Sequence, residues 1–299
     1  MPTRRTLLLA SGMAFLLLMG LAAYWYVRGL SATSGAGPEF DGQRAYRLVE
    51  DQVALGPRPT GSQASFQTGQ LILQALEDAG WSSGVHEFTY LGAAGRNLIG
   101  TAGSGPVLLL GAHYDTRRQA DRDPVSPTEP VLGANDGASG VAVLLELARS
   151  LDPTSLRNEV WLVFFDAEDN GGLDGWDWIA GSRAFAAQLT EVPEAAVIVD
   201  MVGDSDQQIY IDRNSDAVLS ADLWAIAAGL GYEQYFIPVP LYAMLDDHTP
   251  FAELGIPAVD IIDFDYPYWH TTQDTADKVS PGSLERVGRV LEVWLEGEE

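Results

Sequence analysis

Cysteine is absent from the 299-residue sequence. This absence excludes disulfide bonds, thiolate metal sites and a cysteine nucleophile. Any metal ion must therefore be bound by histidine and carboxylate side chains. Lysine is almost absent as well, because Lys278 is the only one, and the formal net charge is −25. A charge of this sign argues against nucleic acid or anionic lipid as a partner, since both are themselves negatively charged.

An uncharged apolar run near the amino terminus is long enough to span a membrane. It covers residues 7–27, with Arg4 and Arg5 before it and Arg28 after it. A helix of this length crosses a bilayer at about 1.5 Å per residue, and the arginine bias predicts a cytoplasmic amino end. We therefore predict a membrane-anchored protein whose main domain is extracytoplasmic. Cleavage of the run as an export signal, which would give a secreted protein, is the alternative.

Composition divides the chain into three segments. Residues 1–30 are the predicted transmembrane signal anchor. Residues 31–40 are rich in Ser, Gly and Ala and are predicted to form a flexible linker. Residues 41–299 contain the alternating apolar and polar pattern of a folded protein, and their length predicts one large domain.

Beyond residue 40, apolar strands alternate with amphipathic helices. The predicted strands cover 86–90, 97–101, 106–111, 159–165, 195–199, 208–212 and 258–262. The predicted helices cover 40–55, 62–79, 141–151, 182–189, 217–230 and 280–295. In the second helix, the residues expected to face the core are Phe66, Leu71, Leu73 and Leu76. The alternation predicts an α/β fold, a three-layer sandwich with a mixed, mostly parallel central sheet flanked by helices.

The most informative stretch is residues 159–172, where an apolar, aromatic-rich strand ends in Asp166, Glu168 and Asp169. A strand of this kind is typical of the buried interior of a parallel sheet, and ligands bind beyond the carboxyl ends of such strands. Adjacent Glu168 and Asp169 cannot both be buried and ionised at low cost unless a cation or a proton compensates one of them. Taken alone, the stretch could also be a solvated acidic turn.

Further polar residues stand at the ends of predicted elements, namely His113, Asp136, Asp200 and His270. Each has an ordinary interpretation by itself; Asp136, for example, could simply cap a helix. Together with Asp169 they would bring nitrogen and oxygen ligands to one edge of the sheet, a set that suits zinc. Asp115, two residues after His113 on the same face of an extended segment, could hydrogen-bond the second imidazole nitrogen and fix its tautomer.

These residues carry a family resemblance that covers nearly all of residues 45–296. The segments His113-Tyr114-Asp115, Asn135-Asp136-Gly137-Ala138-Ser139-Gly140, Glu168-Asp169, Asp200 and His270-Thr271-Thr272 resemble the M28 family of zinc aminopeptidases. Within that clan, the segments 164–169, 181–183, 199–203, 246–251 and 269–271 are most similar to glutaminyl-peptide cyclotransferases. The resemblance implies the zinc aminopeptidase fold and peptide or protein amino termini as substrates.

The resemblance also implies a metal centre with one or two Zn²⁺ ions. In a cyclotransferase, one zinc would be held by Asp136, Asp169 and His270. In a two-zinc aminopeptidase, His113 and Asp200 would join them and Asp136 would bridge the ions. The chain departs from the family at Asp169, where glutamate is common; its side chain is shorter by one methylene group, so the strand end must approach the metal more closely or binding weakens. His113 and Asp200 are both present, which leaves the metal count open.

The remaining implied roles concern proton transfer and substrate binding. Glu168 would be the general acid and base in either enzyme, and in a cyclotransferase Asp246 and Asp200 would hold it by shared-proton hydrogen bonds. The aromatic residues expected to wall a pocket for the glutamine side chain are Trp176, Trp178, Tyr266, Tyr268 and Trp269. His248 is expected to be a structural partner of nearby acids.

Three functions are compatible with the sequence. The first is a membrane-tethered cyclotransferase that converts an amino-terminal Gln to pyroglutamate and releases ammonia. The second is an M28 aminopeptidase in which Glu168 activates water. The third is an inactive binding ectodomain of the same fold, although neither the ligands nor the base is missing from the sequence.

Overall fold

The computed structural model describes residues 39–297. The predicted anchor, 7–27, and most of the predicted linker therefore lie outside the described residues. Within residues 39–297, no helix has both the length and the apolar composition needed to cross a membrane.

A six-stranded sheet forms the centre of the domain. Its strands in chain order are β1 (Ser82–Tyr90), β2 (Ala93–Gly103), β3 (Val107–His113), β4 (Glu159–Phe165), β5 (Ala195–Asp200) and β8 (Ala258–Ile262). They lie in the spatial order β1-β2-β4-β3-β5-β8. The pairs β1–β2 and β2–β4 are antiparallel, whereas β4, β3, β5 and β8 are parallel neighbours. A mixed, mostly parallel sheet is therefore confirmed.

Helices cover both faces of this sheet. They are α1 (Gly42–Ala54), α2 (Gln63–Asp78), α3 (Ala138–Ser150), α4 (Ala180–Ala186), α5 (Ala217–Gly229), α6 (Thr249–Glu253) and α7 (Pro281–Glu296). Side chains alternate between the two faces along each strand. In β3, for example, Leu110 packs in the larger core with α1, α2, α3, α5 and α7, and Leu109 packs in the smaller core with α4 and α6. The three-layer arrangement follows from this alternation.

The structure corrects several predicted details. The strands β1 and β2 are longer than expected, and the helix predicted over 182–189 runs from Ala180 to Ala186. A strand, β7 (Phe236–Pro240), pairs in parallel with β6 (Ile209–Ile211) and was not predicted. In α2, Leu76 is fully buried, but Phe66 is 45% exposed. Phe66 does not face the core because its ring lies under the Arg96 guanidinium, at 4.5 Å.

Candidate metal centre

Polar side chains meet at the carboxyl edge of the parallel strands. His113 is the last residue of β3, and Asp200 is the last residue of β5. The turn after β4 carries Asp169, and the loops before α3 and after β8 carry Asp136 and His270. Because neighbouring parallel strands end at the same edge, residues distant in sequence are brought together there.

Two overlapping groups of these side chains could each hold a metal ion. One group is His113, Asp136 and Asp200, and the other is Asp136, Asp169 and His270; within each, the candidate ligand atoms lie within 4.8 Å of one another. All five residues are buried. Since Asp136 belongs to both groups, the geometry is compatible with one ion or with two ions bridged by Asp136.

The second group fits a cation for a further reason. His270 Nε2 lies 3.0 Å from Asp169 Oδ1 and 3.7 Å from Asp136 Oδ2. The Asp136 Oδ2 and Asp169 Oδ2 atoms are buried, and neither accepts a hydrogen bond from any group in residues 39–297. A buried carboxylate oxygen without a donor is costly unless a cation compensates it. Imidazole nitrogen with carboxylate oxygen is a donor set that zinc accepts.

In the first group, hydrogen bonding already satisfies part of the set. His113 Nε2 lies 3.1 Å from both Asp136 Oδ1 and Asp200 Oδ1. The imidazole can therefore join the two carboxylates as a hydrogen-bond donor. These contacts hold His113 and Asp200 next to the second group, whether or not His113 and Asp200 bind an ion themselves.

The loop that carries Asp136 is held by Asp274, a residue that the sequence analysis did not identify. The Asp274 carboxylate accepts the backbone N–H groups of Asn135 at 2.9 Å and Asp136 at 3.1 Å. The Tyr266 hydroxyl donates to it at 2.7 Å. Burial raises the pKa of Asp274 to about 7. More than a hundred residues separate Asp274 from Asn135 and Asp136, so no local pattern could have indicated that contact.

Asp115 has a different contact from the one expected. Its carboxylate lies 3.7 Å from His113 Nδ1, which is longer than a hydrogen bond. It accepts instead the backbone N–H groups of Glu168 at 3.0 Å and Asp169 at 3.3 Å, and the Asn170 amide at 3.3 Å. Asp115 therefore orients the turn after β4, which carries a candidate ligand, rather than the imidazole of His113.

Glu168 lies beside both groups without joining either. It is 8% exposed and faces a pocket of about 180 Å³ that Asp200 and Asp246 also line. Burial raises the pKa of Glu168 well above its ordinary value, although the charge of His113 acts in the opposite direction. Burial, together with the charge of Asp200, raises the pKa of Asp246 to about 7. Glu168 and Asp246 thus form a buried cluster of acids with the candidate ligand Asp200.

Aromatic and apolar side chains wall the same pocket. They are Trp178, Met201, Met244, Leu245, Ile262, Phe264 and Trp269. Three residues expected in the wall, Trp176, Tyr266 and Tyr268, do not line this pocket. Trp176 packs against Tyr90, with ring centroids 5.3 Å apart, and Tyr268 packs against Tyr266 at 5.5 Å. Phe264, which was not expected, completes the wall through its contact with Trp269 at 5.1 Å.

Left-handed backbone occurs at three non-glycine residues of the site. Ala167 precedes Glu168 and has φ +60°, Met201 follows Asp200 and has φ +47°, and His270 itself has φ +56°. Such conformations are costly outside glycine and cluster at functional sites, where the surrounding contacts enforce them.

His248 is fully buried outside this cluster. Its Nε2 atom lies 3.4 Å from Asp212 and its Nδ1 atom 3.9 Å from Asp260. It belongs to neither candidate metal group. His248 lies next to these two acids, but neither ring nitrogen makes a hydrogen bond within residues 39–297, so the predicted structural partnership stays a prediction.

The chain is similar to known proteins over most of its length. The family described as peptidase family M28 matches residues 97–295. The glutaminyl-peptide cyclotransferase-like protein of Mus musculus is 28% identical over 279 residues, which is 80% of this chain and 71% of that protein.

Solved structures share the fold over most of the chain. The Bacteroides thetaiotaomicron glutaminyl cyclase bound to N-acetylhistamine is 30% identical, with a TM-score of 0.82, over 88% of this chain and all of that one. A leucine aminopeptidase precursor from the same organism is also 30% identical, with a TM-score of 0.83, over 88% of this chain and 99% of that one. The zinc aminopeptidase-like fold is confirmed.

Proposed function

This chain belongs to peptidase family M28, and from that premise we propose that it is a zinc-dependent glutaminyl-peptide cyclotransferase. It would convert the amino-terminal Gln of a peptide or protein to pyroglutamate and release ammonia. The similarity to proteins described as glutaminyl cyclases, at 28–30% identity, supports the assignment.

The observation that carries the proposal is the small pocket beside the candidate ligands. Its volume is about 180 Å³, its walls include Trp178, Phe264 and Trp269, and it contains both Glu168 and Asp246. Cyclisation requires the α-amine of the substrate to fold back onto its own side-chain carbonyl. A narrow aromatic pocket favours this folded conformation and keeps water away from the reacting carbon.

The residues of the metal centre have one role in this reaction. Asp136, Asp169 and His270 would hold a single zinc ion, which when bound polarises the side-chain carbonyl of the substrate. Asp169 Oδ2, an unpartnered buried oxygen that only this group contains, supports this choice over the group that contains His113. His113 would instead donate a hydrogen bond to Asp136 and Asp200.

Glu168 would move the proton. The α-amine nitrogen attacks the γ-carbonyl carbon, and Glu168 accepts a proton from that nitrogen. When the bond from this carbon to the amide nitrogen breaks, Glu168 returns the proton to the departing nitrogen, which leaves as ammonia. Asp246 and Asp200 line the same pocket and would keep the Glu168 carboxyl group oriented through shared protons.

An M28 aminopeptidase is the second candidate, because Asp136 is shared between two complete ligand groups. Two bridged ions would suit the activation of water for peptide hydrolysis. The leucine aminopeptidase precursor is as similar to this chain as the glutaminyl cyclase is. The third possibility, an inactive binding ectodomain, is disfavoured because the ligands and Glu168 are all in place.

A paired-peptide assay separates the two enzymes. The zinc-loaded protein is incubated with a Gln-initiated peptide and with a Leu-initiated peptide, and ammonia and free amino acids are measured. Ammonia release above the spontaneous rate, without cleavage, supports the cyclotransferase; free leucine contradicts it. Metal analysis adds an independent test, since two tightly held zinc ions per chain would favour the aminopeptidase.

A further inference from the structure

Arg117 connects several parts of the metal centre, although the mechanism above assigns it no role. It lies in the loop after β3, and only 2% of its surface is exposed. Its Nη1 atom donates to the Asp169 carbonyl oxygen at 2.8 Å, and its Nη2 atom donates to the Gly171 carbonyl oxygen at 3.2 Å. The guanidinium therefore holds the backbone on both sides of residue 170, immediately after the candidate ligand Asp169.

The same guanidinium holds Asp121 with two hydrogen bonds. Nε donates to Asp121 Oδ1 at 2.7 Å, and Nη2 donates to Asp121 Oδ2 at 2.9 Å. Paired bonds of this kind fix the plane of the carboxylate as well as its distance. Asp121 Oδ1 lies 3.5 Å from Nδ1 of His270, a close ionic contact rather than a hydrogen bond. The carboxylate is thus on the far side of the imidazole from Nε2, which faces Asp169 and Asp136.

Trp178 adds a third connection. The Arg117 guanidinium carbon lies 4.8 Å from the centre of the Trp178 ring. The His270 ring also stacks on Trp178, with centroids 5.7 Å apart and an interplanar angle of 11°. Trp178 packs so closely on Gly171 that a Cβ atom at that position would lie 2.1 Å from the indole. Arg117 therefore contacts the pocket wall through Trp178, the backbone of the candidate ligand Asp169, and Asp121, which lies beside the candidate ligand His270.

We propose that Arg117 is a positioning residue of the metal centre, which acts through Asp121 on His270 and through the backbone on Asp169. Held by Arg117, the Asp121 carboxylate favours the His270 tautomer with hydrogen on Nδ1, which leaves the lone pair of Nε2 free for the metal ion. A carboxylate behind a metal-binding imidazole raises the basicity of that ligand. The inference rests on the metal centre of the proposed function but not on which reaction the enzyme catalyses.

Lysine could not replace this residue. The contacts require a planar group that donates in two directions at once, to a carboxylate and to two carbonyl oxygens. A lysine ammonium group is a single point of charge on a flexible stem. We therefore expect Arg117→Lys to keep the buried charge but to lose the orientation of Asp121.

The test measures zinc affinity by competition with a chromophoric chelator, for Arg117→Met, Arg117→Lys, Asp121→Asn and the double variant Arg117→Met/Asp121→Asn. Arg118 provides a matched control. It is the next residue, its guanidinium lies over Trp176 at 5.2 Å, and it donates to the Leu173 carbonyl oxygen at 2.7 Å. It thus has the same chemistry but contacts neither His270 nor Asp169, so Arg118→Met should leave zinc affinity unchanged.

We expect Arg117→Met and Asp121→Asn each to weaken zinc binding by roughly 10- to 100-fold, the usual effect of removing a partner of a metal ligand. The double variant should lose less than the sum of the two single losses, because the Asp121 contribution depends on Arg117. Nitrogen chemical shifts of the His270 ring should report a change of tautomer in Asp121→Asn. A residue with only a structural role would lower the melting temperature without these changes.

Three outcomes would overturn the inference: unchanged zinc affinity in Asp121→Asn, fully additive losses, or an equal loss in Arg118→Met. If Arg117→Met fails to fold, the Asp121→Asn result still decides, because the Asp121 side chain is 37% exposed. If the variants lose zinc affinity as expected but the parent releases neither ammonia nor leucine, the proposed reaction fails while the role of Arg117 stands. If the parent releases ammonia but the variants keep their zinc affinity, the role of Arg117 fails while the proposed reaction stands.

Discussion

At the scale of single residues, Asp169 is a short candidate ligand on a turn that hydrogen bonds hold in place. The family resemblance predicts glutamate here, whose carboxylate reaches one methylene group further. Two contacts hold the turn: Asp115 accepts the Asp169 backbone N–H at 3.3 Å, and Arg117 donates to the Asp169 carbonyl oxygen at 2.8 Å. The Asp169 carboxylate lies 3.0 Å from His270 Nε2.

Asp169→Glu should therefore weaken the site rather than restore it. The longer side chain would place its carboxylate beyond the ligand position, because hydrogen bonds from Asp115 and Arg117 keep the buried turn from moving away. We expect zinc affinity to fall by roughly 10-fold or more, comparable to the loss of a supporting contact. Chelator competition measures the change, and an increase in affinity would show that the turn is not held as tightly as its hydrogen bonds indicate.

Glu168→Gln tests the proton carrier. We expect kcat to fall by roughly 10²- to 10⁴-fold, the range for loss of a general acid and base. Zinc affinity should persist, since Glu168 belongs to neither candidate ligand group. Glu159→Gln is the control. Glu159 is the first residue of β4, the strand that precedes Glu168, and its carboxylate accepts the indole N–H of Trp161 at 2.9 Å, away from the pocket. Loss of zinc in Glu168→Gln would make this residue a ligand.

At the scale of elements, most helices and strands could be predicted from the sequence because their apolar patterns are local. The strand 258–262 was predicted with its observed bounds, and α3 and α7 within a few residues. The strand β7 was missed because Pro238 and Pro240 break the pattern. It forms only through its parallel partner β6, and a partner strand distant in sequence gives no local signal.

The same limit explains what could be predicted of the site. His113, Asp136, Asp169, Asp200 and His270 were found because each stands at the end of a recognisable element. Supporting residues such as Asp274 and Arg58 were missed because they act across long separations in sequence. Arg58 is fully buried and donates to the carbonyl oxygens of Leu132 and Gly133 at 2.7 Å. In the sequence it is only an arginine between two prolines.

Close contact between α3 and β5 sets the distance between two parts of the metal centre. Gly140 lies in the first turn of α3, and a Cβ atom there would lie 2.2 Å from the Val199 carbonyl oxygen. Gly140→Ala should therefore separate Asp136, just before α3, from Asp200, at the end of β5. We expect a loss of about 1–3 kcal/mol in unfolding free energy, the usual cost of overpacking, and weaker zinc binding.

The control for this variant is Gly229→Ala. Gly229 ends α5, and nothing lies within 4 Å of the position where its Cβ would be. Alanine there should be neutral or stabilise the protein by up to about 1 kcal/mol, because glycine disfavours helix. Equal effects of the two substitutions on denaturant unfolding would contradict the proposed role of the contact between α3 and β5.

At the scale of the whole molecule, the amino-terminal segment predicts how the enzyme is held in the cell. If residues 7–27 anchor the chain, the protein should stay in the membrane pellet after alkaline carbonate extraction, and its amino terminus should be the encoded one. If they form an export signal, the protein should be soluble and should begin after the apolar run. Fractionation followed by amino-terminal sequencing measures both properties.

Several of the many carboxyl groups of the molecule are buried in its interior. Asp263 is an example that lies outside both candidate metal groups. It is fully buried and accepts backbone N–H groups from Gln208 at 2.9 Å and Asp265 at 3.3 Å. Burial raises its pKa from 3.8 to about 7. Folding therefore favours the protonated form of this group.

The stability of the protein should depend on pH accordingly. Between pH 4 and 7 the folded state keeps the Asp263 proton that the unfolded state has lost. The contribution of Asp263 to the free energy of unfolding is therefore fully present below pH 4, declines as the pH rises and is lost above about 7. Asp263→Asn removes this contribution. The unfolding free energy of the variant relative to that of the parent should therefore rise between pH 4 and 7, by at most about 4 kcal/mol. Urea unfolding of zinc-loaded protein at several pH values measures the difference, with the exposed Asp222→Asn as control. A constant difference between parent and Asp263→Asn over this range would show that Asp263 is ionised in the folded protein, stabilised by the two N–H groups that it accepts.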